Sequence, residues 1–419
     1  MKRIAKIIPF LVLLTAALLA LGSAAGELLT DPSGSFEYFV KEDGTAEITA
    51  YAGSKSSVSV PARLGKAKVT GIGDYAFADN VGLKSVSIPK GVTEIGRNAF
   101  KGCEKLTRVT LPATLAVIGE QAFADCYALT GIKLPAGLAS LGEEAFSGCE
   151  SLKEIVIPSG LEEIAEKTFY YCTGLTRVTF SEGLRVIGKH AFMDCLSLKK
   201  LTLPAGLDRI GSAAFTECRS LESVSLPDGL TALEGACFSS CQSLKAVVIP
   251  DSVRTLGGGC FSSCTSLTEI TVPDGVEKVG DNPFSWCFGL DVHVSPDHPA
   301  LEAADGVLIR KEDRRLLSFL SVNTESCAVP EGTVSIGEQA FIGAPGLKSV
   351  DVPEGVTEIG DFAFSICGSL TRVSLPASVS SIGGNAFYAC PEELTVTAPR
   401  GSYAARFCAE KGIACVETD

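Results

Sequence analysis

A period of about 23 residues runs through the sequence, and it leaves a chain of this length few ways to fold. An apolar residue, usually followed by Gly, stands at Ile72, Ile95, Ile118, Leu141, Ile164, Ile187, Ile210, Leu233, Leu256 and Val279. The same mark returns at Ile336, Ile359 and Ile382 after one longer step, so thirteen units carry a single insertion. From Ile95 a unit reads Ile-Gly-x-x-Ala-Phe-x-x-Cys-x-x-Leu-x-x-Val-x-Leu-Pro, then a turn and the apolar Leu115. Its Phe column is complete, from Phe77 to Phe284 in ten units and at Phe341, Phe364 and Phe387 in the other three. A single unit cannot bury its apolar face, whereas a neighbour on each side completes a continuous core. The alternation Val109-Thr110-Leu111 predicts a strand that Pro112 stops. One strand per unit, stacked in register, predicts a parallel sheet; at about 4.8 Å per strand the array runs on the order of 60 Å. The expected fold is an α/β-type repeat solenoid with a parallel β-sheet face.

The chain begins with an address. Lys2, Arg3 and Lys6 precede an apolar run from Ile7 to Leu21, and Ser23-Ala24-Ala25 supplies small residues for cleavage, so residues 1–25 read as a signal peptide cut after Ala25. That run is shorter than the roughly 18 residues a membrane span needs. No Cys near the cut accepts a lipid and no second apolar stretch follows. The expectation is a protein secreted or held at the cell surface, without membrane insertion after cleavage. A hydrophobic fraction of 46% with 20% charged residues excludes disorder. The formal charge of −13, or −16 once three basic residues leave with the leader, has the wrong sign for gripping nucleic acid and repels anionic membranes.

The Leu-x-x-Val-x-Leu-Pro and Ile-Gly-x-x-Ala-Phe-x-x-Cys blocks resemble the BspA-like leucine-rich repeats, the Treponema pallidum type, of bacterial surface proteins. Phe36 to Tyr51 resembles that family's N-terminal cap, and Gly401 to Phe407 with Gly412-Ile413 resembles its C-terminal helix and last strand. The resemblance implies a leucine-rich repeat with small terminal caps: cap 26–70, repeats 71–296, an inserted β-hairpin 297–330, repeats 331–396 and cap 397–419. It also implies an exported protein that binds host or neighbouring-cell proteins or glycans. A spacer or assembly component without a specific ligand is the alternative.

Chemistry-bearing constellations are scarce. His190 falls in an exposed slot of its unit with no Ser or Cys motif beside it, so a triad lacks its base. His293 and His298 with Asp291 and Asp297 do not follow a recognised ligand spacing. Gly257-Gly258-Gly259 lacks the Lys and Ser or Thr of a phosphate loop. Glu143-Glu144 and Glu162-Glu163 lie in solvent-facing slots with nothing to raise one carboxyl's pKa. No catalysis, cofactor or metal is expected. Eleven of the sixteen Cys share one repeat slot, from Cys103 to Cys287 in nine units and at Cys367 and Cys390. Stacked neighbours there have parallel Cβ vectors, whereas a disulfide needs Cβ atoms about 3.8 Å apart, so free thiols are expected. If any pair bonds, it is Cys408 with Cys415.

For binding, the outward strand slots are small and hydroxyl-rich, as at Ser87, Thr110, Thr179, Thr202, Ser225 and Thr271. They lack the aromatic anchors that dominate interfaces. Trp286 and Phe288 stand beside the insertion, where Asp305 to Arg310 and Arg315 to Phe319 predict two strands joined by a polar turn. Arg310, Lys311, Arg314 and Arg315 add a basic knuckle to an acidic protein. These six residues are the candidate partner-binding site.

Overall fold

The computed structural model describes residues 27–322 and 324–419. The expected signal peptide therefore lies outside the described residues. Most turns contribute two strands rather than the one expected; at 131–133 and 246–248 the Val slot forms none. A three-residue strand carries the Val slot: Ser57–Ser59, Ser85–Ser87 and Arg108–Thr110 pair in parallel, and Glu154–Val156 pairs Arg177–Thr179 in the register of the repeat. Its central residue is buried and its flanks are exposed, as at Arg108–Thr110, so one face enters the core and the other meets solvent. The Ile-Gly mark forms a second parallel ladder of two-residue strands, for example Glu94–Ile95, Val117–Ile118 and Ser140–Leu141. No sequence alternation marks these strands, because two residues are too few to show a period.

The third side of each turn is a run of tight turns rather than a helix. Gln121 and Asp125 adopt left-handed backbone, φ 53 and 59, and their amides donate along the axis to Glu143 and Ser147 carbonyls at 2.8 Å. Asn, Asp and Gly suit that conformation; Ile366, β-branched and at φ 60, does not and stores strain. Between the two left-handed residues sits the Phe. From Phe77 to Phe284 the rings stack at centroid separations of 4.8 to 6.1 Å. Phe341, Phe364 and Phe387 continue with spacings of 5.0 and 5.3 Å.

The Cys slot has a use beyond smallness. Every one of its eleven thiols donates to a Phe carbonyl 26 residues earlier, Cys103 Sγ to Phe77 O at 3.1 Å and Cys126 Sγ to Phe100 O at 3.3 Å among them. In most turns the same carbonyl already accepts the amide three residues on, Cys103 N–H to Phe100 O at 3.2 Å for instance, so the thiol adds a second donor to it. All sixteen cysteines are unpaired, Cys408 and Cys415 included. Burial pushes the ladder thiols up, Cys103 and Cys172 to about 12.

Both ends are closed. Phe36–Val40 and Thr45–Tyr51 form an antiparallel pair whose second strand runs parallel to Ala67–Ile72, and the Tyr51 ring stacks on Phe77 at 5.1 Å. At the other end helix α1, Tyr403–Lys411, starts at the Ser402 cap and stops at Gly412. It lays Phe407 against Phe387, and Ala414–Thr418 adds the last parallel strand to Thr395–Pro399.

Candidate functional site

The insertion divides the molecule into two cores. It holds three antiparallel strands, Leu301–Ala304, Val307–Arg310 and Arg315–Phe319, one more than the sequence predicts. Leu308, Leu317 and Leu320 join the core of the first array, whereas Val307, Ile309, Leu316 and Phe319 join that of the second. A strand pair shows opposite side chains to opposite faces, so one hairpin serves as a wall to both.

The wall rebuilds the N-terminal cap. Arg315–Phe319 runs parallel to Ser335–Ile336, as Thr45–Tyr51 does to Ala67–Ile72. Gly337 N–H donates to Leu316 O at 2.8 Å and Phe319 N–H to Ala340 O at 2.7 Å; Gly73 to Ile48 and Tyr51 to Ala76 are the matching bonds, both 2.7 Å. Phe319 stacks on Phe341 at 5.2 Å, in the place Tyr51 takes over Phe77. Lys41-Glu42-Asp43 and Lys311-Glu312-Asp313 form the corresponding turns.

The same segment finishes the first array with side chains. In most interior turns the Ile-slot carbonyl accepts from the next turn's Gly amide, Leu256 O from Gly280 N at 2.8 Å for instance, and Ile210 O accepts from the Glu234 amide at 3.3 Å. Val279 has no such successor, and Arg310 Nη1 donates to its carbonyl instead at 3.0 Å. Arg310 also pairs with Asp281 at 2.9 Å and Asp313 at 2.7 Å. The hydrogen bond from Arg310 holds the Asp313 carboxyl below its ordinary range. His298 is fully buried; its Nδ1 accepts from the Ala300 and Leu301 amides at 3.1 Å, so Nε2 carries the proton toward Pro273 O, also 3.1 Å away. Burial lowers its pKa, in keeping with a neutral ring. Lys311 Nζ donates to His298 O at 2.9 Å. Arg314 pairs with Glu302, and Arg315 reaches Asp281 and Glu358, both at 3.7 Å.

The six expected residues thus all lie at the break, in two groups. The four basic side chains are engaged within the chain and only partly exposed. Trp286 and Phe288 meet edge to face at 5.7 Å, both half-buried. The Trp286 ring lies against Gly343 of the second array, where φ is 67 and an added Cβ would fall 2.5 Å from Cζ3. No ion pair, hydrogen bond or cation–π contact joins the aromatic pair to the basic residues among the described residues. His298, Pro-flanked in sequence, gave no signal of its structural part, because its acceptor lies 25 residues earlier. His293 stands apart on the exposed strand edge, 3.6 Å from Asp291. His190 is half-buried rather than exposed, 3.8 Å from Glu166, and desolvation lowers its pKa.

On the strand face the break leaves a gap. Asp291–Val294 pairs on one side only, with Glu269–Val272, and Ser326–Ala328 on one side only, with Ser349–Asp351. A groove of about 510 Å³ lies there, lined by segments 289–292, 303–307 and 320–322 and by Thr324. Among the described residues no helix is long and apolar enough to cross a membrane.

Comparison with known proteins agrees with this architecture. A family model described as the BspA type leucine rich repeat region matches in 6 copies, over residues 70–199, 162–291 and 317–404. A leucine-rich repeat protein from Bacteroides ovatus is 31% identical, over 92% of this chain and 98% of its own, with a TM-score of 0.63. A leucine rich cell surface protein from Faecalibacterium prausnitzii is 28% identical, over 94% of this chain and 99% of its own, with a TM-score of 0.60. The T. pallidum leucine rich repeat protein is 29% identical over 57% of this chain and 91% of its own, TM-score 0.31. No curated protein sequence matches. With the repeat register, the stacked Phe column and a family match spanning both arrays, the chain belongs to the BspA-type leucine-rich-repeat family.

Proposed function

We propose that the chain is an exported recognition module that binds a protein or glycan on a host or neighbouring cell, through its strand face and the break in it. The break is the observation that carries this reading. A protein selected for length alone needs only more repeat units, whereas this one gives the strands from Leu301 to Phe319 to a wall that opens the strand ladder. Loops and interruptions on a rigid scaffold are where recognition concentrates. The cell-surface description of the F. prausnitzii protein supports the location, as does the basic-then-apolar start of the sequence. Trp286 and Phe288 supply aromatic surface at the rim, and Arg310, Lys311, Arg314 and Arg315 the charged flank.

The test is binding of the chain from Gly26 onward to immobilised extracellular-matrix proteins and a glycan array. Saturable binding is expected. Replacing Trp286 and Phe288 by Ala and Arg314 and Arg315 by Ser should weaken it at least tenfold, about 1.4 kcal/mol, in a variant that keeps its fold. Absence of saturable binding across the panel would favour a spacer.

A further inference from the structure

One hydrogen bond recurs along the parallel ladder on the strand face, though not in every turn. In seven turns the amide that follows the three-residue strand donates to the next turn's carbonyl: Ile88 to Thr110 at 2.9 Å, Ile157 to Thr179 at 2.8 Å and Val352 to Ser374 at 3.0 Å are examples. Val294 occupies that slot in the last turn of the first array, and the accepting slot opposite is Ala328 in the first turn of the second. The two strands are not paired with each other, so the Val294 amide and the Ala328 carbonyl both face the break. Two sheet edges of equal direction therefore flank one interruption, and the groove of about 510 Å³ lies along the first of them.

The lining of the groove sets what fits. Leu290, Val292, Val307 and Leu320 give it an apolar floor, and Asp291 and Asp305 give it negative charge with no Lys or Arg. A second hollow shares Val292 and Ala303 with it and adds Asp251, Glu269 and Asp274, again without Lys or Arg. An extended strand places alternate side chains on opposite sides and its amides and carbonyls on its edges. We propose that the break is a docking slot for an extended peptide segment of a partner protein, alternating apolar and basic residues, which adds as a strand along Asp291–Val294. Main-chain hydrogen bonds to the open edge hold the segment; apolar side chains enter the groove, and basic ones meet Asp291 and Asp305. This deepens the recognition reading and rests on it.

The probe is an end-capped hexapeptide of alternating lysine and valine, added to the chain from Gly26 onward. Hydrogen exchange over residues 289–296 should slow at least tenfold at saturation, with the Phe-ladder segments unchanged. The same peptide N-methylated at every second residue loses the amides of one edge, and a glutamate–valine counterpart reverses the charge; each should bind at least tenfold more weakly. V294P removes a single amide that bonds nothing within the array, a position where an edge strand tolerates Pro, and should abolish the protection while ladder exchange stays unchanged. Unslowed exchange at 289–296 under saturating peptide, or equal binding of the methylated peptide, overturns the slot. If V294P then binds matrix proteins or glycans as the parent chain does, recognition stands and runs through another surface. If the hexapeptide behaves as expected, the slot is supported even where the matrix and glycan panel is silent.

Discussion

Phe192→Ala tests the ladder and the wall together. Phe192 has no exposed surface; its ring lies 5.1 Å from Phe169 and 5.3 Å from Phe215, nearly parallel to both, and Phe180 meets it edge-on at 6.0 Å. Truncating a buried Phe costs about 3 to 5 kcal/mol, the spread reflecting how far the surroundings collapse into the cavity. Here collapse is opposed on both sides. The turns above and below are fixed by the two strand ladders and by the amides of Phe169 and Phe192, each 2.8 Å from the next turn's Ala carbonyl. The cost should therefore fall near about 4 kcal/mol. In a repeat array such a loss spreads through nearest-neighbour contacts until something interrupts them. The hairpin is that interruption, since Leu308, Leu317 and Leu320 belong to one core and Val307, Ile309, Leu316 and Phe319 to the other. Urea titration of the full chain, with hydrogen exchange read segment by segment, should show the loss in residues 27–300 and leave 326–419 near the parent value. Phe364→Ala, between Phe341 and Phe387, should do the reverse. A cost below about 1 kcal/mol would refute the buried column, and equal loss in both halves would refute the wall.

Three further outcomes follow from the same geometry. Thiol titration in denaturant without reductant should find at least twelve free Cys; because burial raises the folded-state pKa of Cys103, Cys172 and Cys367 from 9.0 to about 12, stability present below pH 9 should be lost as pH rises toward 12 in alkaline denaturation. His298→Ala strands two amides and a carbonyl and should cost about 2 kcal/mol; since burial lowers the pKa of His298, the stability it confers is present above the ordinary 6.5 and is lost as pH falls, visible first as faster exchange at 298–304. Gly343→Ala should destabilise the second array by about 1 to 3 kcal/mol through the Trp286 ring and the left-handed backbone, and adding Trp286→Ala should recover part of that loss in a double-mutant cycle.

The ladder was legible because its apolar residues recur at fixed spacing, and burial acts on each column alike. The Cys slot was legible as small, but its donation to a Phe carbonyl was not, since the acceptor belongs to the preceding turn and no residue type marks it. The hairpin showed through Val307–Arg310 and Arg315–Phe319, short apolar runs either side of a polar turn; Leu301–Ala304, Leu-Glu-Ala-Ala, carries no strand signal and pairs only because Val307–Arg310 offers an edge. The basic knuckle is where composition misleads most. Arg310 and Arg315 look exposed in an acidic chain, yet Asp281 and Glu358 approach them from opposite arrays once the wall is in place. Charge alone cannot say whether a cation faces solvent or a carboxylate brought in by topology.

The wall also explains why the strand face opens at all. Inserting Val307–Arg310 beside Arg315–Phe319 adds a layer between the arrays on the Ile-Gly side. The strand on the opposite side has no matching addition, because Asp291–Val294 ends the first ladder and Ser326–Ala328 begins the next. A cap that closes two cores therefore separates two strand edges, and open edges invite unwanted pairing. Asp291 and Asp305 at the groove, on a chain of formal charge −13, repel a second copy of the same acidic protein. They do not repel a basic strand. In the proposed slot, the residues that keep the edge from joining its own kind would also favour a basic segment by charge.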